Sequence, residues 1–322
     1  MIRSYRLDHL RALLLLLVVF GHFLELMPET CGSVYRVIYA FHVPALLFLS
    51  GHFAKFSLRR VLRLLCIYGV FQILYRLFAG LLLQEPQSLS LLLLRPYWLL
   101  WYLPVLVYCL LLLPLLQRLP VRFRPLLFAA SVAASLLWGY LPVSGYALSI
   151  GRFFTFLPYF VAGVYLPQLP TPQRKYRLPA LAVVCILSAY LLLHPELTGE
   201  MLYGAYNYAA LGYGVVEKLL FFLTACAWIA LLLQLPLPDR PLPLLTDIGQ
   251  NTLPVYLLHG FVVRLIGQYC RLSLPAWGYF LTALGLSALL LCLLGNRFVG
   301  GVFRRCFGMA RKKTAGNCEK KH

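Results

Sequence analysis

Charged side chains are scarce in this chain. Of 322 residues, only 12% are Asp, Glu, Lys or Arg, and only 10 are acidic. A soluble globule carries about 25% charged residues. With 61% apolar residues, the chain has more apolar surface than one water-facing fold can hide, so a soluble globule is excluded. Its 9 cysteines are scattered singly. No metal-like spacing appears among them, and most read as small apolar packing residues. Cys31 and Cys270 alone fall near the outer face, where a disulfide between them is one option. No cleavable signal peptide is evident, because the first apolar run lacks a small-residue cleavage site. There is no soluble domain and no internal repeat, and no convincing pair of broken helices of the kind inverted-repeat transporters carry.

Apolar runs of membrane-spanning length are abundant. They fall at about 12–28, 34–51, 61–83, 97–116, 126–141, 150–166, 178–194, 207–235, 249–270 and 276–299. The expected fold is therefore an all-α integral membrane bundle of about ten transmembrane helices. Nine is the alternative count, and it would put the C-terminus outside. Basic residues favour ten. With the N-terminus inside, Arg3, Arg6 and Arg11 fall on the cytoplasmic side. Lys55, Arg59, Arg60 and Arg63 join them, as do Arg118, Arg122, Arg124 and the group at 174–177. So does the tail from Arg297 to Lys321. This positive-inside bias makes both termini cytoplasmic and the protein a multi-pass protein of the cell membrane. The net charge of +19 needs no nucleic acid; membrane lipid headgroups and an anionic cytosolic cofactor suffice. Residues 1–300 read as one membrane domain and 301–322 as a basic cytoplasmic tail, disordered over 311–317. Pro44, Pro104, Pro158 and Pro254 lie inside spans. They are read either as kinks for packing or as kinks that open a polar cavity.

Ionisable residues inside such spans are functional candidates by default. Arg11 and His22 are eleven residues apart, about 20° from one face and about 16 Å apart along a helix. Asp8 and Glu25 fall on the same stripe, which must face protein or water. His22, His42 and His259 all lie near the midplane by depth, which favours a shared site. A second cluster runs from Phe41-His42 through Ser50-Gly51 to Lys55, Arg59, Arg60 and Arg63. Gly51 permits close backbone approach, and the basic residues line the cytoplasmic mouth. Arg152 stands at the outer end of a span. It either snorkels to headgroups or holds an anionic or polar acceptor. Asp247 or Thr252 is placed to cap the helix that carries His259. Glu217 and Lys218 are adjacent and cannot face each other; neither is given a role.

These pieces, in this order, resemble the acyltransferase-3 family of integral membrane acyltransferases. The resemblance rests on Arg11-x10-His22, on the Phe-His-x-Pro segment running to Gly51, and on Trp101 to Leu103. Arg152-Phe-x-x-Phe-Leu-Pro and the Ile248-Gly249 to His259 segment complete it. It spans nearly the whole chain. It implies ten helices with both ends cytoplasmic. It also implies transfer of an acyl group, commonly acetyl from acetyl-CoA, to hydroxyls of sugars or lipid-linked glycans at the outer face. Some members carry an extracellular hydrolase-like domain; none is expected from these residues.

The residues fit that chemistry independently. Esterifying a sugar hydroxyl needs a base near neutral pH, and imidazole suits it. His22 is the candidate general base, with His42 or His259 to orient it, relay its proton or polarise the thioester carbonyl. Arg11 is placed to bind an anionic acyl-CoA donor or to hold Asp8. Ser50, Lys55, Arg59, Arg60 and Arg63 form the donor-binding mouth. Glu25 and Arg152 lie on the acceptor side, and no metal is called for. The competing reading is a multi-pass transporter that uses the same His/Arg stripe as a substrate or proton path.

Overall fold

A computed structural model describes residues 4–142, 145–270 and 274–309. The described residues form helices and turns with no strand. In chain order the helices are α1 (Tyr5–Leu24), α2 (Pro28–His52), α3 (Leu58–Leu82), α4 (Leu89–Leu94) and α5 (Tyr102–Arg118). Next come α6 (Arg124–Trp138), α7 (Ile150–Tyr165), α8 (Arg174–Leu193), α9 (Tyr208–Leu211) and α10 (Val215–Leu233). The last are α11 (Pro243–Gln250), α12 (Thr252–Tyr269), α13 (Ala276–Leu294) and α14 (Arg297–Cys306). Among the described residues, 9 helices are long and apolar enough to cross a membrane. The remaining expected span, 249–270, is a short helix, a break at Asn251 and then α12, which carries His259 and Arg264 and is not among the nine.

The chain divides into two compact units. The first takes Met1–Phe23 and Pro236–His322, the second Leu24–Leu235. In the first unit α1 meets α11 backbone to backbone. A Cβ added at Gly249 would collide with the carbonyl of Asp8, so the Ile-Gly pair is a packing requirement. Further along α1, Phe20 packs edge-on to Phe280, 5.0 Å between centroids. Tyr279 donates to the Phe23 carbonyl at 2.6 Å. Asn251, at the break, donates to the carbonyls of Asp247 and Gly295 and accepts from Arg304 on α14 at 2.6 Å. The expected cap does not form. Asp247 pairs with Arg297 at 2.8 Å instead, and the residue before α12 is Asn251, with no side-chain capping bond.

In the second unit α2 and α7 approach most closely. A Cβ at Gly51 would strike the carbonyl of Phe160, and one at Gly163 the carbonyl of Phe48. Small residues facing backbone on both helices let them pack without an intervening side-chain layer. Between α4 and α5 the chain runs irregularly, and Gln72 on α3, 3% exposed, satisfies it. Its amide donates to the carbonyls of Leu92 and Arg95, and its carbonyl oxygen accepts from the Tyr97 N–H at 2.8 Å. Irregular backbone at membrane depth needs such partners.

Two expectations change here. α1 ends at Leu24, so Glu25 sits in a turn outside the helical stripe and belongs to the second unit. Of the four prolines expected inside spans, Pro104 and Pro254 fall in the first turns of α5 and α12, and Pro44 and Pro158 are interior; Pro114 and Pro179 are interior as well. Cys31 and Cys270 are free thiols. The tail segment 311–317 lies outside the described residues.

Candidate active site

In the first unit, α1 and α12 bring His22 and His259 into ring contact. The centroids are 5.4 Å apart and the planes 27° from parallel. The two residues lie more than two hundred positions apart in sequence, and both rings are buried, 9% and 0% exposed. His259 Nδ1 lies 2.8 Å from the Val255 carbonyl. A carbonyl only accepts, so Nδ1 carries the proton and Nε2 keeps its lone pair. That Nε2 is buried and has no hydrogen-bond partner among the described residues. One turn from the start of α1, Arg11 pairs with Asp8 at 3.3 Å. Of the two roles offered to Arg11 by sequence, the Asp8 contact is the one present within the chain. His9, fully buried, meets Thr246 Oγ1 through Nε2 at 3.0 Å; sequence reasoning gave it no part.

The second unit holds two further clusters. His42 repeats the pattern of His259: its Nδ1–H donates to the carbonyl one turn back, Ile38, at 2.7 Å. The edge of its ring contact faces Tyr39, 4.7 Å between centroids. Tyr39 in turn donates to Glu25 at 3.4 Å and stacks on Tyr35 at 3.9 Å. Tyr203 donates to the other oxygen of Glu25 at 3.5 Å, and its hydroxyl also bonds that of Tyr35. Glu25 is thus the carboxylate of a tyrosine cluster that reaches His42. Tyr35, Tyr39 and His42 are spaced four and three apart, one face of a helix. That spacing was readable, but the chain has 21 tyrosines, and no single one stood out.

A small cavity of about 20 Å³, room for about one water, lies beside Tyr39 and Pro44 and is lined by Ser135, Thr155, Tyr159 and Lys218. Lys218 donates to Thr155 Oγ1 at 3.3 Å, while its neighbour Glu217 accepts from the Gly214 N–H at 2.8 Å and closes the start of α10.

At the other end of α2, Ser50 Oγ lies 3.1 Å from the Tyr102 hydroxyl, and Arg60 interacts electrostatically with that phenol. Lys55 and Arg59 are exposed, and Arg60 and Arg63 are half-buried. Arg152 is 6% exposed, its guanidinium 4.7 Å from the centroid of Trp101 and 4.8 Å from that of Tyr146. No group of three or more His, Cys, Asp or Glu side chains able to hold a metal occurs among the described residues.

Residues 4–296 match the family model described as an acyltransferase domain of the acyltransferase-3 type. The chain belongs to the acyltransferase-3 family. No curated protein and no solved structure matches it. Membership over nearly the full length, with a helical fold rich in spans, makes this a membrane acyltransferase by family. It also means that the protein handles an acyl donor and an acceptor.

Proposed function

We propose that this acyltransferase moves an acyl group, acetyl from acetyl-CoA or a related acyl-CoA, onto a hydroxyl of an extracytoplasmic sugar or polysaccharide. His22 is the general base. It takes the proton of the acceptor hydroxyl as the oxygen attacks the thioester carbonyl; the C–S bond breaks and CoA leaves as the thiol. The observation that carries this reading is the His22–His259 ring contact. A base held by a packed neighbour keeps its orientation and needs little reorganisation in the transition state. His259, fixed in one tautomer by Val255, is the positioning partner.

Donor binding is assigned to Arg11 in the first unit and, in the second, to Ser50 with the basic group Lys55, Arg59, Arg60 and Arg63, cations suited to phosphates through charge-assisted hydrogen bonds. His42, Glu25 and Arg152 belong to the acceptor side. The membrane domain covers residues 1–300, followed by the basic tail; it spans the cell membrane ten times with both termini in the cytoplasm.

Free CoA tests the reading. Membrane vesicles supplied with acetyl-CoA and envelope glycan should release one thiol per ester formed. Movement of a solute without thiol release would favour the transporter reading.

A further inference from the structure

We propose that Arg152, with Tyr146 and Arg95, forms a receptor for an oxyanion, a carboxylate or phosphate, borne by the acyl acceptor. This rests on the reading above that the chain acylates a glycan, and it names the class of glycan.

The guanidinium of Arg152 is enclosed by two rings, Trp101 and Tyr146. Arg95 places a second guanidinium 4.4 Å from the centroid of the same Tyr146 ring. Aromatic faces satisfy a guanidinium face, but they offer nothing to the five N–H donors around its edge. Those donors find no acceptor among the described residues, and Nε is buried without a partner. No carboxylate pairs with Arg152 among the described residues either. The groups that act on it electrostatically are the phenols Tyr146, Tyr203 and Tyr206 and the like charge of Arg95. A buried cation beside a second cation, with no counter-ion, is costly to keep. A planar fork with covered faces and an open edge matches the two oxygens of a carboxylate or phosphate.

The backbone is built to hold this arrangement. Leu148 and Ser149, between Tyr146 and Arg152, both take left-handed conformations, φ 47° and 59°. Two successive non-glycine residues in that region cost energy, and such strain gathers at functional sites. Gly151 packs against Gly145 and the carbonyl of Gly204, leaving no room for a Cβ. The adjacent Tyr203 donates to Glu25, so an oxyanion held by Arg152 lies next to the Glu25–Tyr39–His42 cluster. A lipid headgroup phosphate offers the same chemistry, and the test separates the two sources.

Full-length protein is reconstituted in phosphatidylcholine nanodiscs and titrated with glucuronate, glucose 6-phosphate and glucose, following tryptophan emission and thermal stability. The two oxyanions should bind at least tenfold more tightly than glucose. Arg152→Gln should remove that preference. Arg95→Gln, at an exposed position, should weaken it severalfold without affecting folding, and Arg152→Lys should restore part of it. Equal response to all three sugars would overturn the proposal. So would a response to phosphatidylglycerol nanodiscs alone, abolished by Arg152→Gln, which would assign the site to lipid. Binding is read without turnover, so absence of CoA release would count against the acyl-transfer reading and leave this site standing.

Discussion

Single residues carry the chemistry, and the sequence exposed them unevenly. His22 and His259 stood out because an imidazole at mid-membrane is expensive and depth can be counted along a helix. Depth led us to expect a shared site for them, and their ring contact bears that out; His42, expected at the same site, lies beside Tyr39 in the second unit. Periodicity places a residue on a face but not a face against its neighbour, so the ring contact itself was not readable. The tyrosine cluster around Glu25 was hidden for another reason: aromatic residues are common throughout this chain. Tyr39→Phe keeps the ring stack on Tyr35 and deletes one bond to Glu25. We expect it to lower acceptor kcat/KM about twofold to thirteenfold, in line with about 0.5–1.5 kcal/mol for one hydrogen bond. KM for acyl-CoA should not move; steady-state kinetics with each substrate varied in turn would check this. Arg11→Ala should act in the opposite sense, raising the acyl-CoA requirement far more than that for acceptor. An unchanged donor dependence would leave Arg11 as the partner of Asp8 only.

At the level of elements, the glycines and Gln72 explain how helices with little polarity find fixed positions. Gly51→Leu would push a side chain into the backbone of α7. Overpacking costs about 1–3 kcal/mol, so the detergent-solubilised protein should melt several degrees lower. Gly69→Ala is the control, because a Cβ there meets nothing within 4 Å. Gln72→Leu strands the Tyr97 N–H and the Leu92 carbonyl, while the Arg95 carbonyl keeps its bond from Arg76; unpaired buried groups cost about 1–3 kcal/mol each. The segment from Arg95 to Trp101 should then become sensitive to protease while α2 and α7 stay protected. Helix existence was legible from apolar run length, whereas ends and breaks were not. The chain leaves α1 one residue before Glu25, and Asn251 divides 249–270 into two helices. Both events depend on local turn geometry and on carbonyl partners that lie far away in sequence.

For the whole molecule, composition alone excluded a soluble globule, and the order of motifs pointed to the family that the match over residues 4–296 establishes. The proposed orientation rests on where Lys and Arg fall along the chain. Single cysteines placed near residue 4 and near residue 309 of a cysteine-free variant should both resist a membrane-impermeant maleimide in intact cells. Labelling of either would reverse that end. The central claim is acyl transfer through His22, and the most direct measurement is transfer of labelled acetyl from acetyl-CoA to glycan in membrane vesicles, wild type against His22→Ala at matched expression. We predict label in the glycan fraction of the wild type, and a loss of about 10²–10⁴-fold, the range for a general base, in a variant that still inserts and folds. Equal labelling by the two proteins would contradict the account.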